Sequence, residues 1–175
     1  MIGDKMKYER IYLEEKEKIR DLSEFASKIV KEHFDSIIGA AQNDYMISKF
    51  QTPESIEEQI KHGYEYYEVF VDCIDNEDGK RIGFVSILER EEELYLSKFY
   101  VEKSFRGKGY SRKMFEFVCK KAKEKGYHRV SLNVNKNNDA IYAYEKFGMI
   151  RAREEKNDIG NGFFMDDYVY EYTFD

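Results

Sequence analysis

The sequence predicts a single α/β domain. Three observations predict it. Segments that alternate apolar and polar residues are interleaved with amphipathic helical stretches, a glycine-rich turn leads from a strand into a helix and then another strand, and no linker or internal repeat interrupts the 175 residues. Strand, loop, helix and strand make a βαβ unit, whose crossover is right-handed in nearly all proteins. In such sheets ligands bind where helix N-termini stand above strand ends.

The elements follow in order. Lys7–Leu13 alternates and reads as a first strand. A charged helical stretch from about Glu14 to Glu32 places Ile19, Leu22, Phe25, Ala26, Ile29 and Val30 on one face. A short helix follows, with Thr52 as N-cap, Pro53 at its first position and Gly63 as its stop. YEVFVDCI and KRIGFVSILER flank DNEDGK, whose Asp78-Gly79 pair predicts a hairpin turn. A strand spans about Glu93 to Glu102. The glycine loop then feeds a helix in which Met114, Val118 and Ala122 repeat every four residues beside Phe115 and Cys119, closed by Gly126. HRVSLNVN is a short strand. NNDAIYAYEKFG is a helix with Ala140, Ala143, Tyr144 and Phe147 on one face and Gly148 as its stop. MIRAREEK and FFMDDYVYEYTF are final strands joined by the turn NDIGNG.

Composition narrows the function. The net charge of −6 argues against a general nucleic-acid binder, which needs a broad basic face, and favours a cationic small molecule by long-range attraction. Cys73 and Cys119 form no CxxC pair, and His33, His62 and His128 have no ligand spacing, so no metal site is expected. The charged N-terminus and the lack of a long apolar run predict a cytoplasmic protein without a membrane partner.

The candidate chemistry lies in RGKGYS. Gly107 and Gly109 remove side chains where a ligand would meet the main chain, and the helix that follows offers unpaired amides and the positive end of its dipole. Arg106, Lys108, Arg112 and Lys113 concentrate four cations there, which suits a diphosphate better than a single carboxylate. After Gly107 and Gly109 the third glycine of a dinucleotide fingerprint is missing, and no nucleoside-triphosphate P-loop occurs. The residue pattern alone also fits a solvated basic helix start.

LSKFYVEKSFRGKGYSRKMFEF followed by LNVNKNNDAIYAYEKFGMI resembles the two signature segments of the GNAT superfamily of acyl-CoA-dependent N-acetyltransferases. The first carries Arg106 and Gly109, with Ser111 where the family has Gly or Ala. The second carries Asn137, Ala140, Tyr144, Lys146 and Gly148, with Met149 where Phe is usual. The two segments span about a third of the chain. The flanking parts are most similar to bacterial polyamine (spermidine/spermine) acetyltransferases. The resemblance implies a mixed α/β fold with a mostly antiparallel central sheet of about seven strands and helices on both faces. It also implies acetyl-CoA as cosubstrate and direct transfer to a small amine or polyamine. A peptide N-terminus as acceptor, and a non-catalytic acyl-CoA binder, are the alternatives.

Position by position, the resemblance implies that main-chain groups of Phe99 and Val101 pair with the pantetheine arm like an added strand. Amides of Arg106, Gly107, Lys108, Gly109, Tyr110 and Ser111 cradle the pyrophosphate, and Asn137 and Lys146 complete the cofactor set. By residue type alone, Asn137 is equally a helix N-cap. Tyr144 is the implied acid for the departing thiolate, since a phenol ionises near about 10 and a thiol near about 8.5; periodicity alone makes it a core aromatic.

On the acceptor side, an amine of pKa about 10.4 is neutral in about one molecule per thousand at pH 7, a cost of about 4 kcal/mol before attack. The family often places a glutamate on the strand before the loop. Here Tyr95 and Ser97 hold the inward candidate positions and Glu93 lies near the start, so no base is assigned. Tyr45 and Phe50, in the segment AAQNDYMISKFQT, stand by family position at the acceptor pocket. Acids and tyrosines in GYEYYEVF and FFMDDYVYEY suit a cation, and equally suit ordinary strands with polar outer faces. The aromatic C-terminal strand is a candidate edge for a homodimer.

Overall fold

The structure, a computed structural model, describes residues 4–73 and 76–174. Its elements are β1 (Met6–Ile11), α1 (Lys16–Ile38), α2 (Ala40–Phe50), α3 (Pro53–Lys61), β2 (Glu65–Cys73), β3 (Asn76–Glu89), β4 (Leu94–Val101), a 3-10 turn (Lys103–Phe105), α4 (Tyr110–Glu124), β5 (Arg129–Asn135), α5 (Ala140–Lys146), β6 (Ile150–Gly160) and β7 (Phe163–Thr173). Seven strands follow the order β1-β2-β3-β4-β5-β7-β6, with β4 and β5 parallel and the pairs β1-β2, β2-β3, β5-β7 and β6-β7 antiparallel. This is the mixed, mostly antiparallel sheet that the sequence led us to expect. The chain divides into two compact units, Met1–Ile87 with Lys98–Tyr110 and Leu88–Ser97 with Ser111–Asp175, so β4 contributes to both. No helix among the described residues is long and apolar enough to cross a membrane.

In the first unit, Ile19, Leu22, Ala26 and Ile56 pack with Ile11, Tyr66 and Phe84, and Phe25, Ile60, Tyr64 and Tyr100 close around them. The predicted face of α1 is thus the core face. The helix runs past Glu32 to Ile38 because nothing breaks it before Gly39, which adopts φ 84°. A single residue then separates α1 from α2, and the segment placed at the acceptor pocket by family position is an 11-residue helix up to Phe50. Asn43 ties the two helices together, its Nδ2 donating to the Val30 carbonyl at 3.1 Å and to Asp35 at 2.8 Å. The start of α3 is as expected: the Thr52 hydroxyl accepts from the Ser55 amide at 3.1 Å, and Pro53 occupies the first turn.

The β2–β3 hairpin departs from expectation. Cys73 of β2 pairs with Asn76 of β3, residues 74 and 75 lie outside the described residues, and Asp78-Gly79 lies within β3. Gly79 (φ 77°) sits at a register shift, where an added Cβ would come 2.7 Å from the Val71 carbonyl oxygen. The Asp-Gly pair therefore serves a bulge, which needs the same left-handed glycine as a turn. In the second unit, Met114, Val118 and Ala122 on α4 are fully buried, Phe115 stacks on Phe147 at 5.1 Å, and β6 and β7 join through Asn161 (φ 55°) and Gly162 (φ 78°). Left-handed φ at two successive residues makes a tight two-residue hairpin in place of the broader turn expected over NDIGNG.

The expected dimer edge also changes. β7 is paired on one side with β5 and on the other with β6, so it has no open edge. The outer strand is β6, whose exposed Arg151, Arg153, Glu154 and Lys156 present charge where an unpaired ladder would otherwise invite association.

Gly83 on β3 marks a close approach. A Cβ there would collide with the Tyr100 main-chain oxygen of β4. Gly83→Ala is expected to cost about 1–3 kcal/mol in urea unfolding, as overpacking of a tight interior does. A midpoint unchanged from wild type would mean that the two strands separate freely.

Candidate functional site

The glycine loop is built as the sequence implied. The 3-10 turn ends at Phe105, Gly107 and Gly109 take φ 72° and 84°, and α4 starts at Tyr110. A Cβ added at either glycine would meet no atom of the described residues within 4 Å, so both face space open among them. The first amides of α4 have no partner within the helix. An anionic group such as a diphosphate therefore fits here on main-chain grounds.

The four cations divide into two kinds. In the first unit the Arg106 guanidinium is committed: Nε donates to the Val101 carbonyl at 2.9 Å, and Nη1 lies 3.4 Å from His33 Nδ1. It staples the loop to the end of β4 and occupies the carbonyl of a predicted pantetheine-pairing residue. Phe99 is half-buried on the same strand. Lys108 stands 5.2 Å from the Phe105 ring centroid, and the buried Tyr110 donates its hydroxyl to Asp4, which raises the phenol's pKa. In the second unit Ser111 is half-buried, while Arg112 donates to the Lys146 carbonyl at 3.1 Å and covers the Phe147 ring at 5.3 Å. Thus Arg106 and Arg112 hold main chain, and the exposed Lys108 and Lys113 carry the loop's remaining side-chain charge.

Asn137 is exposed in the turn after β5, its amide donating to Asn135 Oδ1 at 2.9 Å. The capping role belongs to its neighbour, since Asn138 Oδ1 accepts from the Ala140 amide at 3.0 Å. Tyr144 is 7% exposed on α5, edge-on to Phe147 at 6.3 Å. The Lys146 side chain is exposed. The predicted positions therefore divide between the units, Phe99 to Tyr110 in the first and Ser111, Asn137, Tyr144 and Lys146 in the second.

The acceptor-side candidates lie on and just before β4 and on α2. On β4 the buried alternation is Leu94, Leu96 and Lys98, so Tyr95 and Ser97 occupy the other face. Glu93 is engaged by Arg129 at 3.0 Å and Arg90 at 3.5 Å. Tyr45 and Phe50 lie on α2 under the Lys49 ammonium, at 5.8 and 5.5 Å. Of the buried charged residues that escaped the sequence reading, two lie without an opposite charge among the described residues. Lys98 Nζ donates to the Phe50 carbonyl and to Gln51 Oε1, each at 2.9 Å, and lies 5.1 Å from the Tyr66 ring centroid. Among the described residues no carboxylate pairs with it, and burial pushes its pKa down to about 7, where a neutral amine still has the two protons its two acceptors need. Asp167 on β7 is 3% exposed, and burial pushes its carboxyl up to about 6. The signal for Lys98 was available: residues 94, 96 and 98 share one face by strict alternation.

A model of the acetyltransferase (GNAT) family matches residues 32–149. The chain belongs to this family. An uncharacterised N-acetyltransferase of Bacillus subtilis (strain 168), YdgE, is 27% identical over 114 residues, 60% of this chain and 73% of that protein. Among solved structures, the PaiA N-acetyltransferase of Thermoplasma acidophilum, in complex with coenzyme A, is similar with a TM-score of 0.70 at 14% identity, covering 97% of this chain and 99% of that one. Spermidine N-acetyltransferase from Vibrio cholerae, in complex with coenzyme A and spermine, gives 0.65 at 13% identity, covering 96% and 95%. At such identities these two likenesses speak for the fold.

In this GNAT protein the thiol of Cys119 is unsuited to carry an acyl group, because burial pushes its pKa up to about 11. Lys98 has a measurable consequence. Folded Lys98 loses its proton near about pH 7 and an unfolded lysine near about 10.4, so between these values unfolding takes up a proton and stability rises with pH. The stability of wild type relative to Lys98→Met, read by urea unfolding, is expected to increase from about pH 7 to about pH 10. A pH-independent difference would show that Lys98 keeps its charge in the folded state.

Proposed function

We propose that residues 1–175 act as one cytoplasmic N-acetyltransferase domain that moves the acetyl group of acetyl-CoA to a primary amine, a small amine or polyamine, by direct attack. The observation that carries the reading is the loop at residues 106–110: two left-handed glycines open to space, running into a helix start, within the segment matched by the acetyltransferase family. Coenzyme A supplies a thioester and a diphosphate. The chain's part is to hold that diphosphate with main-chain amides of Arg106 to Ser111 and the exposed Lys108, and to align the arm along Phe99 and Val101. Asn137 and Lys146 are assigned to the cofactor by the family pattern. Tyr144 protonates the leaving sulfur, as a phenol in a largely water-excluded position can. The amine class is supported by the net charge of −6 and by the spermidine enzyme among the structural relatives.

Calorimetric titration of coenzyme A at modest ionic strength is expected to give a saturable heat; none at all would remove the cofactor reading. Turnover is then followed on a panel of polyamines, amino acids and peptide N-termini. Binding without acetylated product across the panel would make the protein an acyl-CoA binder, and product on peptides alone would move the acceptor to N-termini.

Two substitutions separate the assigned roles. Tyr144→Phe is expected to lower kcat by about 10²-fold with coenzyme A affinity nearly unchanged. An unaltered kcat would take Tyr144 out of the reaction. Gly109→Glu is expected to abolish cofactor binding, because its side chain fills the open approach, its charge repels phosphate and its backbone must hold φ 84°. Normal affinity in this variant would place the diphosphate elsewhere.

A further inference from the structure

Four strands of the second unit place one polar cluster on a sheet face. On β5, Ser131, Asn133 and Asn135 share that face by alternation. Asn133 is the hub: its Oδ1 accepts from the Tyr95 hydroxyl of β4 at 3.2 Å. Its Nδ2 donates to Glu155 of β6 at 3.0 Å and reaches Asp167 of β7 at 3.5 Å. In register, Asp167 lies between Asn135 and Glu155.

The two carboxylates differ in what satisfies them. Glu155 takes the short Asn133 bond and a second from Arg153 Nε at 3.1 Å, and these partners hold its carboxyl below the usual range. Asp167 is more deeply buried, and among the described residues it receives only the long contact and no cation pairs with it. Its other charged neighbours, Glu155 and Asp166, are negative and favour its protonated form. Arg153 is shared between Glu155 and Glu171, and Arg90 covers the Tyr95 ring at 3.5 Å. A second group is also unmet: Ser131 Oγ is buried with no hydrogen-bond partner among the described residues, two residues before Asn133 and opposite Tyr95 in register. A buried carboxylate without a cation is costly unless it takes a proton or a cationic ligand. Two carboxyl groups whose surroundings push them apart are the usual basis for dividing the work of acid and base.

We infer that this face binds the alkylammonium group of the acceptor and that Asp167 is the base that removes its proton, with ionised Glu155, Asn133 and Tyr95 holding the cation. The inference rests on the acetyltransferase reading above and supplies the base that β4 lacks. The protons and bonds balance. Asp167 takes one proton from R–NH3+, and the neutral amine forms the C–N bond with the thioester carbonyl carbon. The C–S bond breaks as nitrogen gives up a second proton, and the thiolate receives a proton from Tyr144. The second nitrogen proton resupplies Tyr144 through water, and Asp167 releases its own to solvent. Net, R–NH3+ and acetyl-CoA become the amide, coenzyme A and one proton.

The decisive measurement is the carboxyl carbon resonance of Asp167 in 13C,15N-labelled protein, assigned by correlation to its own main-chain resonances. In free protein the midpoint is expected at about 6. With saturating spermidine or n-butylamine it is expected to fall by about one unit, because a bound ammonium favours the carboxylate. A midpoint indifferent to every amine that wild type acetylates, or to both probes if it acetylates none, would overturn the inference. Asp167→Asn is also expected to lower kcat by about 10²-fold and to erase the acid limb of the pH–rate profile, with coenzyme A calorimetry unchanged. A retained limb at wild-type kcat would give the base role to another group. If Asp167→Asn does not fold, Glu155→Gln reads the same site: the Asp167 midpoint falls as a negative neighbour is removed, and KM for the amine rises; an unmoved midpoint would count against the cluster. Loss of coenzyme A binding by wild type itself would instead be a failure of the underlying reading.

Discussion

Main-chain access at residues 106–110 is the constraint on which the functional reading depends. Amides at a helix start bind an anion only where side chains withdraw, and an L side chain at φ 72° or 84° would both strain the backbone and fill the space in front of it. The loop also has to be held in place. Arg106 does this by returning its Nε to the Val101 carbonyl, and the Tyr110 ring is buried beyond the glycines with its hydroxyl on Asp4. A cation that looked like a ligand for phosphate thus works as a brace, and the proposed reading gives the anion to the main chain.

A second theme is charge held out of water. In the first unit Lys98 is surrounded by a carbonyl, an amide oxygen and an aromatic ring, and burial alone shifts it toward neutrality. In the second unit Asp167 is pushed the same way, toward its uncharged form. Many other charged side chains of this acidic protein pair at the exposed surface, where an ion pair contributes little. These two have a pKa displaced into the range where an amine-acetylating enzyme works, which is why they carry more chemical information than the many surface pairs. Lys98 also joins β4 to the corner between α2 and α3, since the Phe50 carbonyl that accepts from it accepts from Gln59 Nε2 as well.

Much of the architecture was legible because local chemistry and tertiary packing agree. The Thr52-Pro53 start, the stops at Gly126 and Gly148 and the buried stripe Met114, Val118 and Ala122 follow from rules that act within one or two turns of helix. Where expectation failed, the same local signal had two structural uses. Asp78-Gly79 has turn chemistry and serves a bulge. The order of β6 and β7, which leaves the aromatic strand inside and the charged one outside, depends on pairing between distant residues that no local pattern encodes.

By itself the sequence determined the element types, the glycine loop and the acetyltransferase family, because each is written in residues close together along the chain. Tertiary structure alone decided which charges are desolvated. Lys98 and Asp167 look in sequence like other lysines and aspartates, and burial is a property of what folds over a residue. The surroundings of Asn133 arise from β4, β5, β6 and β7 together, so its carboxylates acquire unequal proton affinities only when those strands are assembled.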